Sequence, residues 1–319
     1  MESNIHNKLI EALKSHTPEG KNVVDLLTDI IPLSKEAAYR RLRGEIQFTL
    51  AEASRISKKL HLSLDTMAGI DKKGFHMFYI KDIFTEKPFE KYYDLCHNTL
   101  SVYQEAKKDP DVLFYFAGNA LFHSLYFKYK LLSKYSFLKW IYQTSYYDDA
   151  VKKLEDIVIP EKVLSIQQEL IYESTQVDTC FIIGEDIILS LINDIKYFAA
   201  INLVNREEVI ELKEEISCML DDLEKLAKEG MFNSGKKVTV YVSNAYFDAN
   251  YSHISGKTFE SSTIYLFGIN QLNCTDPAIC EYQKLWVDSL ITYSTLISGS
   301  GRLEGVFFLD QQREILNLI

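Results

Sequence analysis

Between residues 5 and 67 the apolar positions fall in short groups at spacings of three and four, each bounded by residues that start or stop helices. Ile5 to Ser15 is one such group. Val23 to Ile30 is a second, closed by Pro32. Ser34 is placed to N-cap a third, Lys35 to Arg43, and Gly44 is the residue expected just past its end. Thr49-Leu50-Ala51-Glu52 forms a capping box opening a fourth helix that runs to Leu60, and Ser63 caps a short fifth through Met67. Five short helices with a tight turn between the second and third make a helix-turn-helix layout.

Beyond about residue 75 the texture changes. Lys87 to Lys108 reads as an amphipathic helix broken by Asp109-Pro110, Val112 to Phe116 as an aromatic run suited to a strand, and Ala120 to Gln143 as one aromatic-rich helix. Further helices are expected over 161–175, 184–202 and 206–229. Lys237–Asn244, Ser262–Phe267 and a stretch near Asn250–His253 carry the β-branched and aromatic residues of strands. Glu281 to Ile297 and Phe307 to Leu318 read as helices flanking an SGSG turn at 298–301. No repeat of about 34 or 40 residues marks a helical solenoid. The expected fold is mostly α, with a five-helix helix-turn-helix domain over 1–70 and a larger α+β domain over 75–319. The larger domain is expected to combine long helices with a small antiparallel sheet, after a polar link at Gly69–Gly74.

The third helix carries the most specific chemistry. At about 100° per residue, Ala37, Ala38 and Leu42 gather on one side, small enough for a close helix crossing. Lys35, Glu36, Tyr39, Arg40 and Arg43 gather on the other. A mostly cationic, hydrogen-bonding outer face is what a helix in a major groove requires. The candidate DNA-contacting residues are therefore Ser34, Lys35, Glu36, Tyr39, Arg40 and Arg43, with Arg55, Lys58 and Lys59 of the fourth helix suited to phosphates. Arg41 falls on the inner side, where a charge needs a partner; Glu52 is the first choice and Asp29 the second.

Residues 23–67, VVDLLTDIIPLSKEAAYRRLRGEIQFTLAEASRISKKLHLSLDTM, resemble the Cro/repressor-type helix-turn-helix of prokaryotic regulators. The matching elements are Leu33-Ser34 opening the recognition helix, Arg43-Gly44 ending it, Arg55 to Leu60 as the fourth helix, and His61 to Asp65 as linker and fifth-helix start. Arg41 departs from the pattern, which usually has an apolar residue there. Segments 111–144, 241–251 and 294–308 resemble the long C-terminal region of Bacteroidetes regulators of this kind. The resemblance implies a transcriptional regulator that binds double-stranded DNA, and it brings no catalytic residues.

Charge sharpens the division. The 319-residue chain has a net charge of -10, whereas residues 1–70 hold ten Lys/Arg against nine Asp/Glu. Any nucleic-acid contact must therefore be local. Five scattered cysteines without a CxxC, and no signal-like N-terminus or apolar span, lead us to expect a cytoplasmic protein with no membrane partner. No HExxH, GxSxG or Walker loop occurs, so no enzyme, catalytic residue or cofactor is expected. Ser298–Arg302 could cradle a phosphate but reads more simply as a helix-end loop, and Cys274, Cys280 and His253 fit no common zinc spacing, so no metal is expected. The aromatic residues of 114–147 suit a core; their alternative role is an apolar pocket for a small-molecule or peptide effector, rimmed by Tyr115, Tyr126, Tyr129 and Tyr142. Val209, Leu212, Ile216, Met219, Leu223 and Leu226 form a seam for another helix, in this chain or in a second copy. The expected function is a homodimeric DNA-binding regulator with a sensing or dimerising C-terminal domain. The alternative is a protein-interaction adaptor that keeps the helix-turn-helix without binding DNA.

Overall fold

The computed structural model describes residues 5–17, 20, 22–60, 62, 64–68, 87–144, 152–266 and 270–319. The chain divides into two compact units, Met1–His76 and Met77–Ile319. The expected link at Gly69–Gly74 and the Ser63 cap lie outside the described residues.

The first unit contains α1 (Ile5–Ser15), α2 (Val23–Ile30), α3 (Lys35–Leu42), α4 (Leu50–Leu60) and α5 (Leu64–Met67). Each start is made by local chemistry. Asn22 accepts from the Val24 amide at 3.0 Å, Ser34 Oγ from the Ala37 amide at 3.2 Å, and Thr49 and Glu52 exchange the reciprocal bonds of a capping box. Gly44 adopts φ +76° to turn the chain after α3, a conformation costly for any residue with a Cβ. Leu9, Leu13, Val24, Leu27, Ile31, Ala38, Ala53 and Ile56 form the core. Buried His6 ties α1 to the loop after α3: its Nδ1 accepts from the Phe48 amide at 3.1 Å, so its Nε2–H donates to the Arg41 carbonyl at 3.1 Å.

The second unit is built on one sheet. After α6 (Pro88–Ala106), β1 (Leu113–Gly118) is followed by α7 (His123–Tyr126), α8 (Lys130–Thr144) and α9 (Glu161–Ser174) before β2 (Asp178–Gly184). Then α10 (Leu189–Ala200) and α11 (Arg206–Glu229) lead to β3 (Val238–Ser243). Next come β4 (Asn250–Ser255), β5 (Glu260–Leu266), β6 (Asn270–Cys274), α12 (Pro277–Thr292), β7 (Ser294–Leu296) and α13 (Arg302–Leu316). The strand order is β6-β5-β4-β1-β2-β3-β7. β1, β2 and β3 run parallel, and the remaining pairings are antiparallel.

This corrects the expected fold class: the second unit is α/β, with a seven-stranded mixed sheet in place of a small antiparallel one. The physical cause is clearest at β2. Its sequence, DTCFIIG, is buried on both faces, so it lacks the polar alternation of a half-exposed strand and merges with the apolar helix after it. The helix expected over 184–202 is α10 alone, preceded by β2. The helix expected over Ala120–Gln143 divides into α7 and α8. β6, with the polar sequence NQLNC, and the three-residue β7 carry no clear strand signal.

The two sheet faces are covered unequally. Phe114, Phe116, Phe181, Ile183, Val240 and Val242 pack into a large core with α6, α8, α9, α10, α11 and α13. Tyr115, Ala117, Cys180 and Ile182 face the other way, toward Phe247 and Val287. The predicted seam on α11 is filled within the chain: Leu212, Ile216, Met219 and Leu223 are buried in the large core, and α11 packs against α13 and α8. Among the described residues, no helix is long and apolar enough to cross a membrane.

Candidate nucleic-acid interface

The small residues of α3 explain its orientation. Ala38 is fully buried against α2 and α4, which turns the opposite side outward. Ser34, Lys35, Glu36, Tyr39, Arg40 and Arg43 are all exposed there, so the structure gathers the six predicted residues on one surface. Tyr39 keeps 46% of its surface in solvent, so its ring and hydroxyl are open to a ligand. With eight residues, α3 is about 12 Å long, comparable to the width of a B-DNA major groove. Arg55, Lys58 and Lys59 of α4 are also exposed.

Arg41 goes the other way. Its Nε and Nη2 donate to Glu52 Oε2 and Oε1 at 3.1 and 2.7 Å, and Nη1 reaches the Ala37 carbonyl at 3.3 Å. The first choice made from sequence is thus the observed partner. Burial alone would raise the Glu52 carboxyl, but Arg41's hydrogen bonds and charge, with the Thr49 backbone and side chain, hold it below its ordinary value. One carboxylate therefore caps α4 and locks α3 against it, fixing the angle at which the outer face of α3 is presented.

The electrostatics of that face are mixed. Lys35 pairs with Asp25 of α2 at 3.1 Å, and Glu45 holds both Arg40 at 3.5 Å and Arg43 at 3.0 Å. All these groups are largely exposed, so the pairs are weak and exchangeable. A phosphate or a guanine edge could replace Glu45 as the guanidinium partner. Sequence reasoning missed Glu45, although its place one residue beyond Gly44 returns it toward the end of α3.

In the second unit the tyrosines proposed for a pocket separate. Tyr115 lies on the opposite sheet face under Lys284, Tyr129 donates to Asp222, and Tyr142 meets Tyr197 on the outside of α8 and α10. Tyr126 alone of the four lines a cavity of about 570 Å³ at the carboxyl ends of β1 and β2. His123 lies next to this space, and burial pushes its imidazole down to about 3.

The residues considered for other chemistry have structural partners. Ser298 Oγ accepts from the Val240 amide at 3.0 Å, and Gly301 fits against the Leu296 carbonyl, making the SGSG stretch a packed turn. His253 Nδ1 meets Ser262 Oγ at 3.3 Å, while burial and then the charge of Lys284 lower the ring to about 4. Cys280 Sγ contacts the Cys274 carbonyl at 3.8 Å, and no group of three metal-ligating side chains stands together among the described residues. Comparison of the whole chain with family models, curated proteins and solved structures finds no match.

Proposed function

We propose that the chain is a sequence-specific regulator that binds double-stranded DNA through α3, with the second unit serving effector sensing or dimerisation. The observation that carries this reading is the division of labour along α3. One arginine, Arg41, is locked inward by Glu52, while Ser34, Lys35, Tyr39, Arg40 and Arg43 share one exposed surface of groove-sized length. Lys35, Arg40 and Arg43 reach base edges or phosphates; Tyr39 meets a thymine methyl or a phosphate. Glu36 sits at the helix start and excludes bases that offer only acceptors.

The resemblance to Cro/repressor-type regulators supports the same reading. A second copy, joined through the second unit, would give a two-fold complex on a palindromic site. Leu303, Val306 and Phe307, exposed at helical spacing on α13, offer apolar surface for it in place of the filled α11 seam. One observation favours the adaptor reading: Glu45 partly neutralises Arg40 and Arg43 before any ligand arrives. Salt separates the two, because DNA affinity falls steeply with salt in proportion to the phosphates contacted.

The experiment is selection of bound genomic fragments by the purified full chain, followed by anisotropy titration of the selected duplex over a salt series. Arg40→Ala with Arg43→Ala should abolish sequence preference while leaving the fold intact. Failure to select any sequence, or full affinity in the double variant, refutes DNA reading by this face.

A further inference from the structure

The cavity in the second unit has a construction of its own. β1 and β2 end at Gly118 and Gly184, and β4 starts at the same end of the sheet because it runs antiparallel to β1. In open α/β sheets the carboxyl ends of parallel strands are where ligands bind. The ends are braced by side chains. Asn250 Oδ1 accepts from the Asn119 and Ala120 amides at 3.0 and 3.2 Å, and Asn119 Nδ2 donates to the Phe247 carbonyl at 2.6 Å. A Cβ at Gly184 would lie 2.6 Å from Asn119 Oδ1, and one at Gly118 closer still to Asn250. The backbone there gives up side chains so that two asparagines can hold the floor.

One wall of the space is a single stripe of α8: Leu132, Tyr135, Ser136, Lys139, Trp140 and Gln143. These positions span about 16 Å at the helical rise per residue. The stripe grades from apolar to polar. Leu132 is buried, Lys139 is partly exposed and paired with Asp194, and Gln143 is exposed beside Ser190 of α10. Leu121, Ile187 and Leu191 supply apolar surface opposite. Lys139 is the one charged side chain lining the cavity among the described residues. Tyr135 Oη and Trp140 Nε1 on the same stripe are buried without a hydrogen-bond partner, an expensive state for a donor. Such a lining, mainly apolar with one charged side chain, is the pattern of small-molecule sites of this size.

We infer that this cavity binds an elongated amphipathic carboxylate, its apolar chain lying along α8 toward Leu132 and its carboxylate exchanging with Asp194 for the Lys139 ammonium. The inference deepens the effector half of the proposed function and rests on that reading only for its effect on DNA, so binding is measured without DNA.

The test uses the full chain carrying Trp286→Phe, which leaves Trp140 as the single tryptophan; Trp286 lies on the opposite sheet face. Decanoate is titrated while Trp140 emission is followed, with methyl decanoate as the uncharged control. Saturable one-to-one binding of decanoate, about tenfold or more tighter than its ester, is expected from a charge-assisted bond. Lys139→Gln combined with Asp194→Asn should erase the preference for the acid and keep the ester. Ser136→Phe, which fills the cavity, should abolish both, with an unchanged circular dichroism spectrum showing that the unit still folds. Ser190→Trp at the rim, read by calorimetry, serves if Ser136→Phe fails to fold. No saturable change with decanoate, or binding undiminished by the filling variant, overturns the inference. Binding that leaves affinity for the selected duplex unchanged supports the site and refutes only its regulatory role.

Discussion

Replacing Arg41 by Ala removes one side of a nearly buried, two-bonded ion pair whose side chains keep 12 and 13% of their surface exposed. Stripping one partner from a buried pair costs about 3–5 kcal/mol, and the residual exposure here puts the expected loss near the lower end. Glu52 keeps its bond from the Thr49 amide but loses both guanidinium contacts. A loss of about 3 kcal/mol is a large part of the roughly 4–10 kcal/mol available to a unit of this size. The assay is hydrogen exchange of the full chain, read on amides of α2, α3 and α4. Opening of the first unit should become roughly 150-fold easier, while exchange in the sheet of the second unit stays constant. Arg41→Met with Glu52→Leu should recover part of the loss, because an apolar pair of similar volume needs no desolvation of charge but gives up the bond from the Thr49 amide that caps α4. The pH dependence follows the depressed Glu52 carboxyl. Its stabilisation is present above the ordinary value of 4.5 and is lost as pH falls through the lower folded-state value. Exchange rates altered less than threefold by Arg41→Ala would refute the claim that this pair locks α3.

Releasing Arg40 and Arg43 with Glu45→Gln should tighten binding of the selected duplex and steepen its salt dependence, measured by anisotropy; weaker binding would show that Glu45 itself reads DNA. The neutral histidines of the second unit make it acid-sensitive. The unfolded chain protonates His123 and His253 near 6.5, but the folded chain does so only near 3 and 4. Stability should therefore fall as pH drops from about 6.5 toward 4, by up to about 1.4 kcal/mol per pH unit for each histidine, and His123→Phe should flatten the slope of denaturant midpoints by about half. Gly184→Ala should destabilise the second unit by about 1–3 kcal/mol in chemical denaturation, since Asn119 must leave Phe247 to admit the methyl; an unchanged midpoint would show that the floor is pliable. Light scattering of the full chain should give a dimer, and Phe307→Glu a monomer of unchanged fold.

The first unit was legible because its signals are local. Ser34, Gly44 and the Thr49/Glu52 box act within four residues of the backbone they cap, and the angle of Arg41 on α3 sufficed to name Glu52. The sheet was less legible because strand pairing is written at long range. β1 showed its aromatic run, but nothing near Leu113 states that Asp178 and Ser255 flank it. The cavity was hidden for the same reason. Tyr126 could be guessed as a pocket residue, whereas Lys139 and Asn250 become neighbours of the same space only once α8 and β4 take their places. A strand-ending Gly-Asn at 118–119 was the one local hint of a braced loop.

The pairing of β1 also sets an order of events on the ribosome. The first unit and its contacts are complete within the opening quarter of the chain, so it can fold while most of the protein is unmade. β1 must wait. Its partner on one side, β2, emerges some 65 residues later, and its partner on the other, β4, about 140 residues later. At about 5–20 residues per second, one edge of this largely buried strand stays open for roughly 7 to 28 seconds. An unpaired, aromatic strand edge is the template on which nascent chains associate wrongly. The nascent protein therefore passes through a stage with a finished five-helix first unit and an unfinished sheet, and its yield should depend on what shields Phe114 and Phe116 until β4 arrives.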